Sequence, residues 1–255
     1  MKSLPVKSFL LMSLILLSAQ TVLAAGGIPS FNWTGPYAGL HVGYGWGNAD
    51  TNFYPLPDVN TFGALPAKLN PGPSGVQGGL QAGYNYQMGC FVAGIEADFS
   101  GAGMNATKTI SPIIGDTGAP IPGGGAIVSH QDINWFGTLR PRIGYTVTPS
   151  VLVYGTGGLA YGNVSSSANT DLRPLLPYNY PASVSSTQVG WAAGGGVEWA
   201  LSKCWTVKVE YLYMDLGSQS AIANPTLALP PPSPQAGYKW QTTSNILNFG
   251  LNYKF

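Results

Sequence analysis

The feature that most restricts what this chain can fold into is a two-residue alternation that recurs eight times. In Tyr37-Ala38-Gly39-Leu40-His41-Val42-Gly43-Tyr44-Gly45-Trp46 the even positions are Ala, Leu, Val, Tyr and Trp. The odd positions are Tyr, Gly, His, Gly and Gly. Successive side chains of a strand point to opposite faces, so this segment has one apolar face and one small or polar face. Segments 75–87, 91–101, 133–146, 150–162, 188–200, 204–214 and 241–255 read the same way. Val76, Leu80, Tyr84 and Tyr86 oppose Gln77, Gln81 and Asn85; Trp205, Val207, Val209 and Tyr211 oppose Lys208 and Glu210.

Repeated alternating segments of roughly ten residues are the pattern of transmembrane barrel strands. Their even number matters, because an open sheet edge in lipid leaves backbone groups unpaired at several kcal/mol each. A soluble sandwich or lipocalin-like barrel would turn its apolar face inward and a charged face to water. Here charged residues are only 8% of the chain, about a third of the roughly 25% of an ordinary soluble domain. Aromatic residues sit on the apolar face near segment ends, as in lipid-facing girdles. After residue 24 there is no uncharged apolar run of the ~18 residues a spanning helix needs. The expected fold is all-β: an eight-stranded antiparallel up-and-down transmembrane β-barrel with four long external loops. A net charge of +1 offers no electrostatic footprint for nucleic acid.

Residues 1–24 read as a cleaved secretory signal peptide. Lys2 and Lys7 precede the apolar core Phe9–Leu17, and small residues follow. The core is too short for a membrane anchor. Cleavage is placed after Ala24, with Ala25 as the alternative, and no Cys follows to make a lipoprotein. Residues 25–35 form a short periplasmic lead-in and 36–255 the outer-membrane barrel. Removing Lys2 and Lys7 leaves nine basic and ten acidic residues, a charge of −1.

The connections alternate strictly. Those around 88–90, 148–150 and 201–203 are short; 49–74, 104–131, 164–187 and 218–240 are long. Short periplasmic turns and long external loops are the bacterial pattern. Sixteen of the 21 prolines fall in the long segments, Pro230-Pro231-Pro232 and Pro234 among them. Proline donates nothing to a ladder, so these segments are not expected to extend the sheet. Pro141 lies inside a strand of a ring that has no edge, and a bulge is expected there.

The inward parity collects Glu96, Asp98, Arg140, Arg142, Glu198, Lys208, Glu210 and Lys254, four acids and four bases. None can face lipid cheaply, since Arg or Lys at the midplane costs ~2–4 kcal/mol. Two readings stand: an ion path, or a neutral plug in a barrel just wide enough to be filled by side chains. The plug is preferred. Catalysis has little support. His41 and His130 lack the His-x-Ser pair of lipid A deacylases, and there is no metal spacing, P-loop or nucleophile elbow. Both histidines read as structural. Cys90 and Cys204 begin strands on opposite sides of the ring, beyond the ~7 Å Cα limit for a disulfide.

Trp33-Thr34-Gly35-Pro36-Tyr37-Ala38-Gly39-Leu40, Phe91–Phe99, Tyr154–Tyr161 and Val207–Tyr213 together resemble the small immunogenic outer-membrane barrels of alphaproteobacteria, relatives of opacity proteins and of the OmpA transmembrane domain. The resemblance runs from about residue 31 to Phe255, with no peptidoglycan-binding domain after it. The ending, with Phe249, Leu251, Tyr253 and Phe255 on one parity, looks like the signal read by the barrel assembly machinery. The resemblance implies an abundant, surface-exposed structural barrel in the cell outer membrane, in contact with its lipid. It also implies haem-binding or adhesive roles in some members, though no motif carries haem or any cofactor to this chain. The expected function is envelope integrity with exposed loops and no enzymatic activity. The alternatives are a surface binder of haem or of a host or phage partner, and a narrow channel.

Overall fold

The computed structural model describes residues 31–56, 68–111, 125–173, 179–227 and 235–255. Residues 1–24, expected to be a signal peptide cleaved after Ala24, and the Pro230–Pro234 run lie outside the described residues.

Eight long strands follow one another around a ring: β1 (Gly35–Leu56), β3 (Ser74–Met88), β4 (Phe91–Ile110), β5 (Ala126–Thr148), β6 (Val151–Asp171), β7 (Asn179–Ala200), β8 (Trp205–Ala223) and β9 (Gln235–Lys254). A two-residue strand, β2 (Lys68–Leu69), pairs with β1. All neighbours are antiparallel, and β9 pairs with β1 from Tyr37↔Lys254 onward. That seam closes the sheet and removes its edge within the ring. At one end the chain reverses tightly, with Gly89 at φ +62° in the Gly89-Cys90 turn. Cys90 and Cys204 occupy separate turns at this end as free thiols.

The alternation sorts side chains as the sequence demands. On β5, Ile143 is 70% exposed while Arg142 beside it is 2% exposed. The outer face carries Leu40, Val76, Leu80, Ile95, Leu139 and Val209. Aromatic rows bound it. Phe91 packs on Tyr145, and Tyr253 on Trp205 and Phe255, at the short-turn end. Phe99, Trp135 and Tyr161 pack in sequence toward the other end, as do Trp191 and Tyr213.

Two expectations need correction. The long segments do extend the sheet. β1 runs to Leu56, β4 to Ile110, β6 to Asp171 and β8 to Ala223, while β5, β7 and β9 begin at Ala126, Asn179 and Gln235. The prolines within these extensions are tolerated at an edge. Pro181 pairs with Asn169 of β6 on one side, and β7 pairs with β8 only from Trp191↔Asp215 toward the turn. An unpaired flank needs no N–H from proline.

Nor is there a bulge at Pro141. Its pairing with Ile95 is flanked by Gly94↔Arg142 and Glu96↔Arg140. Toward β6 the register is the same at Leu139↔Leu159 and Arg142↔Thr156, with the intervening rungs absent. A residue of an antiparallel strand directs its N–H and C=O to the same neighbour, so proline disturbs one flank only. There the Thr156 hydroxyl donates to the Pro141 carbonyl at 2.9 Å. The register shifts lie elsewhere: one beside a short turn, between Thr146 and Thr148, and three toward the far end, between Gly101 and Met104, Ile133 and Trp135, and Asp215 and Ser218. Gly217 serves the last with φ +79°.

Beyond the three far shifts the ring divides. β3 pairs with β1 and β4 no further than Trp46↔Ser74 and Ser74↔Asn105. Among the described residues the continuation is therefore two leaves: β4–β5–β6–β7, and β8–β9–β1 with β2 at its edge.

Candidate functional site: a stratified lumen

The inward positions fill the barrel in tiers. At the short-turn end Phe31 and Trp33, from the lead-in, pack with Val92, Leu152, Tyr154 and Ala200. The lead-in is fastened there: Trp33 N–H donates to Gln87 Oε1, and Gln87 N–H to Thr34 Oγ1, both at 2.9 Å.

The next tier is charged. Glu96 Oε1 accepts from Lys208 Nζ at 2.7 Å and from Arg140 Nη2 at 3.2 Å. Its Oε2 accepts from the Tyr37 hydroxyl at 2.7 Å and from Arg142 Nη1 at 3.4 Å. Arg140 Nη2 also reaches Asp98 (3.0 Å) and Glu210 (3.1 Å). Arg142 Nη2 donates to Glu198 at 2.6 Å. The second oxygen of Glu198 takes Thr206 and Asn252. All seven charged groups are buried. Charge-assisted bonds of this kind are the strong ones, and burial of so many charges is tolerable only when each is bonded.

Lys254, the eighth residue expected in this tier, is not in it. It is half-buried at the mouth, its Nζ 5.7 Å from the centre of the Phe31 ring. The assembled tier holds four acids and three bases, a formal −1 where zero was expected. The reason is the lead-in: its aromatic tier stands beside the last inward residue of β9.

The tier also contains neutral groups that charge counting passed over. Tyr37 joins Glu96 to Arg142 (hydroxyl to Nη1, 3.0 Å). Tyr154 donates to Glu210 at 3.0 Å, and the Arg142 guanidinium lies 4.0 Å from its ring centre. Thr138 donates to Asp98 and accepts from Arg140 Nε. Their inward parity was the signal available. His41, also buried, shares a hydrogen with Ser100 at 2.7 Å. His130 is elsewhere, on the outer face, between Thr107 and Asp132.

Above the charges comes a second apolar tier, built from Met104, Ile133, Phe136, Leu212, Met214 and Ile246 among others. A neutral polar tier follows, in which Gln131 donates to Thr242 (2.8 Å) and Gln219 to Ser166 (2.7 Å). A third apolar tier closes the far end between the two leaves. Ile127, Ala168 and Tyr180 meet Leu69, Ala236, Tyr238 and Trp240. Tyr238 donates across to the Tyr180 carbonyl at 2.7 Å. Among the described residues no group of three His, Cys, Asp or Glu has the arrangement to hold a metal ion.

Phe249, Leu251, Tyr253 and Phe255 all face outward, Phe255 at 73% exposure.

A closed antiparallel ring, apolar and aromatic outside and charged within, defines a transmembrane β-barrel of the outer membrane. The chain belongs to the outer membrane protein beta-barrel domain family, whose model matches residues 8–255. It is 33% identical over 246 residues to the 31 kDa outer-membrane immunogenic protein of Brucella melitensis, covering 94% of this chain and 91% of that one. Among solved structures it is similar to the outer membrane protein OprG from Pseudomonas aeruginosa, with TM-score 0.51, 17% identity, 90% of this chain and 99% of that one. The outer membrane protease OmpT from Escherichia coli gives TM-score 0.50 at 12% identity, over 89% and 99%. At such identities the two structures share the fold alone. The protein is an outer-membrane barrel.

Proposed function

We propose that this barrel is a structural element of the envelope: a sealed, non-enzymatic pillar whose short turns face the periplasm and whose two leaves and long connections face outside. The observation that carries the reading is the stack of apolar tiers above and below the charged one. An ion crossing the lumen would leave its water at each of them. A conducting path would instead line the lumen with groups that hold an ion weakly and repeatedly. The naming of the Brucella relative as an outer-membrane immunogenic protein supports surface exposure and a non-catalytic role. The outward Phe249, Leu251, Tyr253 and Phe255 are where the barrel assembly machinery engages the chain.

The test is a deletion strain. Loss of the protein should raise sensitivity to detergent, and restoration with an Arg142→Ala barrel of lowered stability should restore resistance only in part. Unchanged resistance on deletion counts against the envelope role.

A further inference from the structure

The outer face changes character at the far aromatic row. On β6 the outward residues run Val153, Leu159 and Tyr161, then Asn163, Ser165, Ser167 and Asn169. On β7 they run Val197 and Trp191, then Thr187, Ser185 and Ser183. Hydrocarbon cannot be the solvent of these hydroxyls and amides. They begin where the membrane's headgroup layer must begin, directly beyond Phe99, Trp135 and Tyr161.

This face is organised as well as polar. Asn134 Nδ2 donates to Asn163 Oδ1 at 2.8 Å, and the Ser165 and Ser185 hydroxyls meet at 2.8 Å. His130 is fixed between Thr107 Oγ1 and Asp132 Oδ2, each 2.8 Å away. Among the described residues Asp132 Oδ1 has no partner. Between these chains runs a groove of about 220 Å³ lined by His130, Asp132, Ser165 and Ser185. Through Ser167 and Ser183 it continues into one of about 510 Å³, where Val128 and Pro181 add apolar surface. Among the described residues no Lys or Arg lines either stretch.

We propose that this groove on the outside of β5, β6 and β7 binds an uncharged saccharide, the sugar portion of a glycolipid in the outer leaflet. The chemistry is complementary. A carboxylate oxygen accepts from vicinal hydroxyls, serine hydroxyls both donate and accept, and Val128 and Pro181 take the C–H face of a sugar ring. A described lining of hydroxyls, an imidazole and a carboxylate, without Lys or Arg, favours a neutral polyol over a phosphate as the recognised group. The aromatic row below holds the lipid portion at the height that brings its sugars alongside.

Purified full-length barrel in detergent is mixed with glycolipid carrying its core saccharide, with the same lipid stripped of neutral sugars, and with the free core saccharide. Bound ligand is read by native mass spectrometry, and folding by heat-modifiable mobility. The complete glycolipid should bind at least about tenfold more tightly than the stripped lipid. Asp132→Asn and Ser165→Leu should each remove most of that difference. Ser220→Leu, exposed on the other leaf, should not. Equal binding of complete and stripped lipid, or a folded Asp132→Asn variant that binds as the parent does, overturns the proposal. Free saccharide binding as tightly as the glycolipid overturns the membrane source. The assay reads the groove whatever the barrel's orientation in cells, which protease added to intact cells reads separately.

Discussion

The ring within the membrane and the two leaves beyond it share seven of the eight long strands, all but β3, and have opposite sidedness. In the ring, Leu139 and Ile143 face out while Arg140 and Arg142 face in. In the leaf formed by the same strand, His130 and Asp132 face out while Ile127 and Ile133 are buried. The strand has not changed; its solvent has. Hydrocarbon takes apolar side chains and leaves polar ones to be satisfied inside, whereas water reverses the preference. The register shift between Ile133 and Trp135 makes the exchange, since one extra residue moves every later side chain to the other face.

The largest effects should separate the two regions by how far damage spreads. Arg142→Ala strips Glu198 and Glu96 of a buried partner, and breaking such a pair costs ~3–5 kcal/mol. Unfolding of the whole barrel in urea should shift accordingly, while Lys203→Ala in an exposed turn stays within about ±0.5 kcal/mol. Trp240→Ala removes a comparable amount, ~3–5 kcal/mol, but from the cap between the leaves. Proteolysis should then cut the leaves while the ring stays folded and heat-modifiable. Equal whole-barrel losses for both variants would break the division into two regions.

A charge on the outer face gives a sharper and smaller contrast. Ile143→Arg faces lipid and should cost ~2–4 kcal/mol. Ser167→Arg faces water on the same sheet and should stay within about ±0.5 kcal/mol. Similar costs measured by reversible unfolding in lipid vesicles would move the boundary between the solvents.

The smallest effect lies at the tip of β6. Arg173 bonds Asp171 through Nε and Nη2, both at 2.8 Å, and holds its carboxyl below the usual aspartate range. A depressed folded-state pKa contributes stability present above the unfolded value and lost as pH falls through the folded one. The pair is exposed, so acidification to about pH 3 should shift the unfolding midpoint barely, and Arg173→Ala should abolish even that pH dependence.

The ring was legible because one solvent governs each face along its length: Val76 to Tyr86 and Trp205 to Tyr213 show uninterrupted alternation. The leaves were not, for three reasons visible in particular residues. Ser165-Ser166-Ser167 gives no contrast between faces, although Ser166 is buried and its neighbours are not. Asn134 interrupts the parity of β5, so inward Ile127 and inward Arg140 cannot be read on one count. Pro55 and Pro181 signal chain breaks but sit in paired strands. Within the lumen, parity selected the charged residues, but it carries no height. Lys254 therefore counted with the others, although it stands at the mouth.

The central claim is that the lumen is closed by alternating tiers, and single-channel recording of the purified barrel in planar bilayers tests it most directly. The parent should show no steady conductance, and Arg142→Ala should add only brief, small openings. A parent that conducts steadily, with Arg142→Ala mainly changing ion selectivity, would contradict the sealed lumen and make the charged tier the filter of a channel.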